Sequence, residues 1–229
     1  MKKILKIFFI LLGVLVISGA SLFLYVGSWI KKTSAVTTGD KISDYGKEKE
    51  ALLVIDLQND ITLPDGKIAT NTAQSDEAIE NINRIISTKR AETVYILHEF
   101  ESDNPIIMFI TKNALRHGEE GAKIDKRIKI EGNNFFTKHI SDSFSNKDLN
   151  DFLVKNKINH LYIAGADAEY CVDKTIKGAL NRKYKISVIK DAVVTKTDEG
   201  RNNKILDFSC LGVEILTTEE ALKKLIKEQ

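Results

Sequence analysis

Three residues able to do chemistry follow predicted strands at widely separated points of the chain. Asp56 ends an apolar run, Lys138 follows a short aromatic run, and Cys171 lies in a turn of small residues after a third run. A thiolate can attack a carbonyl carbon, and a neighbouring carboxylate can take the thiol proton and return it to a leaving amine. A lysine can hold that carboxylate in place. These residue types together predict acyl transfer by a cysteine nucleophile.

The turn that carries Cys171 reads Gly165-Ala-Asp-Ala-Glu-Tyr-Cys171, and a helical pattern follows it. A thiol in the first turn of a helix lies near exposed N–H groups and the positive end of the helix dipole, which favour a thiolate. Backbone N–H groups of this turn could also stabilise an oxyanion. Taken singly, each residue has a structural alternative: Cys171 as a small buried residue, Asp56 as a turn former and Lys138 as a surface lysine.

Alternating strand and helix patterns fill the chain from residue 50 onward. Apolar runs predict six strands, at residues 51–55, 93–97, 135–137, 160–164, 185–190 and 213–216. This order is typical of a three-layer α/β/α domain with a mostly parallel, about six-stranded sheet. Sites in such sheets lie beyond the carboxyl ends of the strands. We therefore expect Asp56, Lys138 and Cys171 to meet at one edge of the sheet.

The N-terminal segment predicts a transmembrane helix ahead of this domain. Residues 7–30 carry no charge, and at about 1.5 Å per residue they suffice to cross a hydrocarbon core of about 30 Å. Three lysines precede the segment and two follow it, so the positive-inside rule places the catalytic domain of a single-pass cell-membrane protein outside the cytoplasm. A signal peptide cleaved near residues 18–20 is the alternative. The predicted division is an anchor at 1–32, a linker at 33–49 and a catalytic domain at 50–229.

Three motifs resemble the isochorismatase-like cysteine hydrolase family, which includes nicotinamidases. The motifs are Asp56-Leu-Gln-Asn-Asp60, Phe136-Thr-Lys138 followed by Ser143-Phe144, and Ala164-Gly-Ala-Asp-Ala-Glu-Tyr-Cys171-Val172. The resemblance implies that Asp56 is the general base and acid, Lys138 the supporting cation and Cys171 the nucleophile. It also implies a cis peptide bond between Ala166 and Asp167, with the amides of Asp167 and Cys171 as the oxyanion hole.

The resemblance also narrows the substrate. Family members that cleave isochorismate usually lack the cysteine, so its presence favours hydrolysis of an amide or ureide C–N bond in a small molecule. Ile61 stands where an aromatic residue is common, and we take it, with Tyr170, as a tentative substrate contact. Nicotinamidases bind a divalent metal through an Asp-x-His pair and a further histidine, whereas residues 64–74 contain no histidine. His98-Glu99 is interpreted as a polar pair at a strand end. We expect no metal and no cofactor, and homo-oligomers are possible because they are common in the family.

The sequence also allows classes of function other than a cysteine hydrolase. A net charge of +2, from 34 basic and 32 acidic residues, gives no sign of nucleic-acid binding. Asp56 and Asp60 could instead form a Mg²⁺-dependent phosphatase site. Cys171 and Cys210 could be a redox pair, but no CxxC spacing supports it, and Cys210 is interpreted as a core residue. A membrane-tethered binding module without turnover is the main alternative to the hydrolase.

Overall fold

The computed structural model describes residues 2–101 and 103–227. The chain divides into two compact units, residues 1–34 and residues 35–229. The first unit is the helix α1 (Lys2–Thr33). Among the described residues, its segment Lys3–Thr33 is the one helix long and apolar enough to cross a membrane, and its most apolar 18-residue window has a mean hydropathy of 2.7. A signal sequence has the same length and composition, so this helix fits either role.

The second unit is built on a sheet of six strands. They are β1 (Glu50–Ile55), β2 (Glu92–His98), β3 (Phe135–Lys138), β4 (His160–Ala166), β5 (Lys185–Val194) and β6 (Glu214–Leu216). Their order in the sheet is β3-β2-β1-β4-β5-β6, and all neighbouring strands are parallel. Each strand overlaps one of the predicted apolar runs. Central strands read as unbroken apolar stretches because helices cover both faces of the sheet.

Seven α-helices connect or follow these strands within the described part of the second unit, together with two 3₁₀ helices, Glu120–Ala122 and Ser143–Ser145. The α-helices are α2 (Asn59–Thr62), α3 (Thr72–Thr88), α4 (Pro105–Ile110), α5 (Lys147–Lys155), α6 (Cys171–Asn181), α7 (Asp198–Cys210) and α8 (Thr218–Lys227). Local capping fixes several of their starts. The Asn71 side chain accepts a hydrogen bond from the amide of Gln74 ahead of α3, and Asn146 caps α5 in the same way.

The apolar core consists of two clusters on opposite faces of the sheet. In β1, Leu52 and Val54 belong to one cluster, which α3 and α8 complete, whereas Leu53 and Ile55 belong to the other, with α5, α6 and α7. This alternation follows from the two-residue period of a strand. The predicted three-layer α/β/α architecture with a six-stranded sheet is therefore confirmed.

The winding direction of the sheet reverses between β1 and β4. From β1 the chain continues to β2 and β3 on one side of the sheet, and from β4 it continues to β5 and β6 on the other. In open parallel sheets, ligands bind beyond the carboxyl ends of the strands where the winding direction reverses. The segments that leave β1 and β4 here carry Asp56 and Cys171.

Residues 35–49, most of the predicted linker, form no helix or strand, but they contact the domain at defined points. The amide and hydroxyl of Thr37 both donate to Asp142 Oδ2, each at 2.7 Å. Further along, the Ile42 amide donates to the Arg182 carbonyl at 2.9 Å, and Ile42 packs against the second apolar cluster. This part of the segment therefore belongs to the compact second unit.

Candidate active site

Asp56 is the first residue after β1 and is buried, with 1% of its surface exposed. Its amide still donates to the Ile96 carbonyl of β2 at 2.9 Å. Its φ of +53° lies in the left-handed region, which few non-glycine residues adopt and which aspartate tolerates better than most. The strand thus ends at the residue whose carboxylate enters the site.

Lys138, the last residue of β3, connects the predicted site residues. Its buried ammonium donates to Asp56 Oδ2 at 2.7 Å and to Cys171 Sγ at 3.1 Å. A third contact joins Lys138 Nζ to His98 Nδ1 at 2.8 Å. An ammonium has three N–H donors, so each is matched by one acceptor. The structure therefore brings Asp56, Lys138 and Cys171 together and adds His98 as a fourth member.

His98 enters the site because β2 lies between β1 and β3. His98 is the last residue of β2 and pairs in register with Lys138 of β3. The predicted polar pair with Glu99 is divided in space: His98 is buried, whereas Glu99 binds the exposed His117 at 3.0 Å. Sequence reasoning missed His98, since nothing in the chain order says that β2 separates the other two strands. Its signal was its place at a strand end, which it shares with Lys138.

Burial governs the protonation of the acidic groups in this cluster. Burial raises the pKa of the Asp56 carboxyl, although the nearby Lys138 charge acts in the opposite direction. It likewise raises the pKa of the Cys171 thiol to about 12, which Lys138 offsets only in part. Burial therefore acts against the thiolate that the position of Cys171 at the helix N-terminus favours.

The pKa values of the two basic groups, Lys138 and His98, shift in opposite directions. Burial alone lowers the pKa of Lys138, but the Asp56 carboxylate and the hydrogen bonds to Asp56 and Cys171 outweigh it and raise that pKa above its usual value. For His98, burial, Lys138 and His139 all act together and hold the imidazole pKa well below its usual range. The cluster therefore holds an ammonium and a neutral imidazole side by side.

The turn before α6 presents the thiol. Cys171 is the first residue of α6, where helix amides have no intrahelical partner. The Ala166–Asp167 peptide bond is cis, at the position that the resemblance implies. The Asp167 carbonyl accepts the amides of Tyr170 at 3.0 Å and Val172 at 3.1 Å. The amides of Asp167 and Cys171, the proposed oxyanion donors, thus lie in one closed turn with the thiol.

Gly165 is required where β4 approaches β1. Its φ is +122°, and a Cβ atom there would lie 2.1 Å from the Ile55 carbonyl oxygen. Glycine is the residue that meets both demands, positive φ and close backbone approach. Gly165 therefore allows the chain leaving β4 to pass directly beside the chain that leads into Asp56.

Gln58 and Asp60 of the first motif make hydrogen bonds that stabilise the backbone around the site. The buried Gln58 amide pairs with the His98 backbone: Oε1 accepts from His98 N at 2.8 Å, and Nε2 donates to His98 O at 2.9 Å and Ala122 O at 2.6 Å. Asp60 accepts from the amides of Lys67 at 3.2 Å and Leu115 at 2.8 Å. Both residues join segments that are distant in the chain.

The two tentative substrate contacts occupy different environments. Ile61 is buried within the first apolar cluster, and Tyr170, next to the nucleophile, is 53% exposed. A cavity of about 370 Å³ lies beyond the end of β2 and is lined in part by Glu99 and Phe100. The Phe100 ring packs edge-on against the His98 ring, with centroids 4.6 Å apart. Phe100 thus lies between this cavity and His98.

In the part of the chain that the structure describes, two groups of side chains have the types and spacing of metal ligands. The ligand atoms of Asp56, His98 and Cys171 all lie within 4.8 Å of one another, but the Lys138 ammonium donates to all three. A cationic group of the protein itself thus sits among these donors. The second group is formed by Glu48, Glu50 and His160. That the chain uses no metal stays a prediction.

Comparison with known proteins decides the family. Residues 50–220 match the isochorismatase domain. The chain belongs to the isochorismatase family. The uncharacterized isochorismatase family protein YddQ of Bacillus subtilis is 30% identical over 64% of this chain and 78% of its own length. A probable inactive nicotinamidase of Arabidopsis thaliana is 25% identical over 74% of this chain and 93% of its own. The crystal structure of N-carbamoylsarcosine amidase from Thermoplasma acidophilum, 26% identical, covers 75% of this chain and 98% of its own, with a TM-score of 0.65.

The two cysteines of this family member differ in setting. Both are free thiols, and Cys171 is partly buried while Cys210 is exposed. The interpretation of Cys210 as a core residue is wrong. Phe208, two residues earlier in α7, is the side chain that enters the core, and it leaves Cys210 on the outer side of the last helical turn.

Proposed function

We propose that this isochorismatase family member is a cysteine hydrolase that cleaves a C–N bond of a small amide or ureide through an acyl-thioester. The observation that carries the proposal is the position of Lys138 Nζ, at 2.7 Å from Asp56 Oδ2 and 3.1 Å from Cys171 Sγ. One cation thereby aligns a carboxylate and a thiol. That is the pairing of base and nucleophile that acyl transfer requires.

The proposed reaction has two steps. In the first, Asp56 takes the Cys171 proton as Sγ bonds to the substrate carbonyl carbon, and the amides of Asp167 and Cys171 bind the oxyanion. The C–N bond then breaks, and Asp56 returns the proton to the leaving nitrogen. In the second, Asp56 takes a proton from water, the hydroxide attacks the thioester, and the thiol is released with its proton. Lys138 remains charged throughout.

The raised pKa of Asp56 supports its role as the base. A carboxylate whose pKa lies above its usual range is a stronger base and, once protonated, still gives up its proton readily to a leaving amine. The raised pKa of the Cys171 thiol indicates that proton removal accompanies attack rather than preceding it. The amidase among the relatives supports a C–N substrate.

A non-catalytic binding module is the second candidate, favoured by the probable inactive nicotinamidase among the relatives. It retains the fold and the pocket without turnover. The two candidates differ in one measurable property, because a module of this kind forms no covalent bond between Cys171 and its ligand.

The test is a panel of small primary amides and ureides incubated with the full-length chain in detergent. Ammonia or amine release reports turnover, and intact mass reports an acyl adduct on Cys171. We expect Cys171→Ser, Asp56→Asn and Lys138→Ala each to lower turnover by about 1,000-fold or more, while Cys210→Ser retains it. An Asp56→Asn variant with wild-type turnover would refute the triad, and a ligand that binds without an adduct or turnover would favour the binding module.

We also propose that α1 anchors the domain in the cell membrane, with the domain on the extracytoplasmic side. The apolar length of Lys3–Thr33 supports the anchor, and the lysines that flank it support the orientation. Fractionation after expression should leave the full-length mass in the membrane, and protease added outside intact cells should remove the domain. Release of a shortened chain would show a cleaved signal sequence instead.

A further inference from the structure

The least expected member of the cluster is His98, and its geometry defines which atoms it can offer. An ammonium can only donate, so the 2.8 Å contact with Lys138 Nζ makes His98 Nδ1 the acceptor. A neutral imidazole that accepts at Nδ1 carries its proton on Nε2. The ring is therefore restricted to one of its two neutral tautomers by the lysine beside it.

His98 is held in this orientation from two sides. The Gln58 side chain hydrogen-bonds both the amide and the carbonyl of His98, which fixes the backbone at the end of β2. The Phe100 and imidazole rings pack in an edge-to-face arrangement, with centroids 4.6 Å apart. A ring fixed in this way can direct its lone pair at a chosen donor.

The other ring nitrogen, Nε2, makes no hydrogen bond in the described part of the chain that would explain a histidine at this position. His98 Nε2 is buried and has no hydrogen-bond partner among the residues that the structure describes. Burying an unpaired donor costs free energy, and an apolar side chain of similar size would avoid that cost. The contribution that offsets it comes from Nδ1, which faces Lys138 and lies 3.9 Å from Cys171 Sγ.

We propose that His98 is a positioning residue that accepts the third N–H of the Lys138 ammonium and thereby holds this cation against Asp56 and Cys171. Without it, one donor of a buried ammonium lacks an acceptor, and the cation no longer has a fixed orientation toward the sulfur. This inference deepens the proposed function, because Lys138 belongs to the proposed triad. It concerns the resting protein, however, and can be tested without any substrate.

The charged and titratable groups that face His98 come from all the elements packed around it. They are Asp56 after β1, Lys138 and His139 at the end of β3, and Cys171 on α6. Of these, only Lys138 hydrogen-bonds the imidazole within 3 Å among the described residues. The state of Lys138 is therefore the property that a change at residue 98 should alter first.

The first experiment compares two substitutions of nearly equal size in the full-length Cys210→Ser background. Asn at position 98 can place its Oδ1 near the position of Nδ1 and accept from Lys138, whereas Leu cannot. The measured quantity is the rate of Cys171 alkylation by iodoacetamide between pH 6 and 10. Because Lys138 stabilises the thiolate, we expect His98→Leu to react about tenfold more slowly at pH 8, a factor typical of a lost hydrogen bond to a charged group. His98→Asn should stay within about threefold of wild type. Equal rates in the Leu and Asn variants would overturn the proposal.

The second experiment needs no variant that must fold well. Nitrogen-15 NMR of the histidine side chains in the wild-type chain distinguishes an unprotonated acceptor nitrogen from a protonated one. We expect His98 to show an unprotonated Nδ1 and a protonated Nε2 from pH 8 down to pH 6. An imidazolium at pH 6, or the Nδ1–H tautomer, would overturn the proposal. Failure of either experiment leaves the amide-panel test untouched, so the two hypotheses fail separately.

Discussion

Gln58 should contribute more to stability than its place in a turn motif suggests. Replacement by Met, which is similar in length and shape, removes all three hydrogen bonds of the amide, to His98 N, His98 O and Ala122 O. Each buried partner left unpaired costs about 1–3 kcal/mol. We therefore expect Gln58→Met to lower the free energy of unfolding by about 3 kcal/mol or more. This is a large share of the roughly 5–15 kcal/mol that stabilises an ordinary domain.

The assay is urea unfolding of the full-length chain in detergent, followed by near-ultraviolet circular dichroism from the buried Tyr95 and Tyr162. The control is Asn59→Leu, which removes a solvent-exposed contact with Glu120 and should cost less than about 1 kcal/mol. A Gln58→Met variant no less stable than this control would refute the proposed contribution of the three Gln58 hydrogen bonds to stability.

Gln58→Glu tests the same contacts through pH. Glu keeps the acceptor that faces His98 N but places a carboxylate against two buried carbonyl oxygens. Burial and these neighbours should raise the folded-state pKa of residue 58 above its usual value of about 4.3. A raised folded pKa means that the destabilisation is present at neutral pH and is relieved as pH falls through that pKa. A Gln58→Glu variant whose deficit relative to wild type does not shrink on acidification would contradict this account.

Two further predictions concern packing and charge. Gly165→Ala should destabilise the domain by about 3 kcal/mol or more, because the new Cβ meets the Ile55 backbone; Gly118→Ala, which has positive φ but open space, should cost only about 1 kcal/mol in the same urea assay. At the buried Asp173, burial raises the pKa, but hydrogen bonds from three lysines outweigh it and hold the pKa below its usual 3.8. Asp173→Asn should therefore cost about 1–2 kcal/mol at pH 7, and the difference from wild type should be lost as pH falls from 3.8 through the lower folded-state pKa; a difference that persists below that pKa would refute the charge argument.

The sheet could be predicted from sequence because a strand that is buried on both faces is an unbroken run of apolar residues. The apolar runs at β1 and β4 show it, and the residues that end such runs, Asp56 and Lys138, lie at the carboxyl edge wherever the strands fall. Proximity of the three chemical residues thus followed from fold class alone. Which strand lies between which others did not, because strand order is set by pairing between distant segments.

That limit explains the two residues whose roles were missed. His98 belongs to the site only because β2 lies between β1 and β3. Gln58 has its role only because its amide reaches a backbone 40 residues further along the chain. A local pattern records propensity and burial, but it does not record a hydrogen-bond partner. The position of Cys171 at the start of a helix was predicted correctly, whereas its desolvation depends on the whole packed site and leaves no local pattern.

The protonation of the cluster follows from how its acceptors are divided. Lys138 takes only Oδ2 of Asp56, and Oδ1, which is buried, accepts no N–H or O–H hydrogen bond among the described residues. His98 saturates the third donor of the ammonium, so Lys138 has none left for Oδ1. The Cys171 thiol, which interacts with the Asp56 carboxyl, is then placed to give its proton to that oxygen. In the reaction that we propose, the carboxylate has one oxygen held by a cation and the other open to the thiol, so the proton has a single path. A thiol with a pKa of about 12 would give up its proton along that path when an electrophilic carbon arrives.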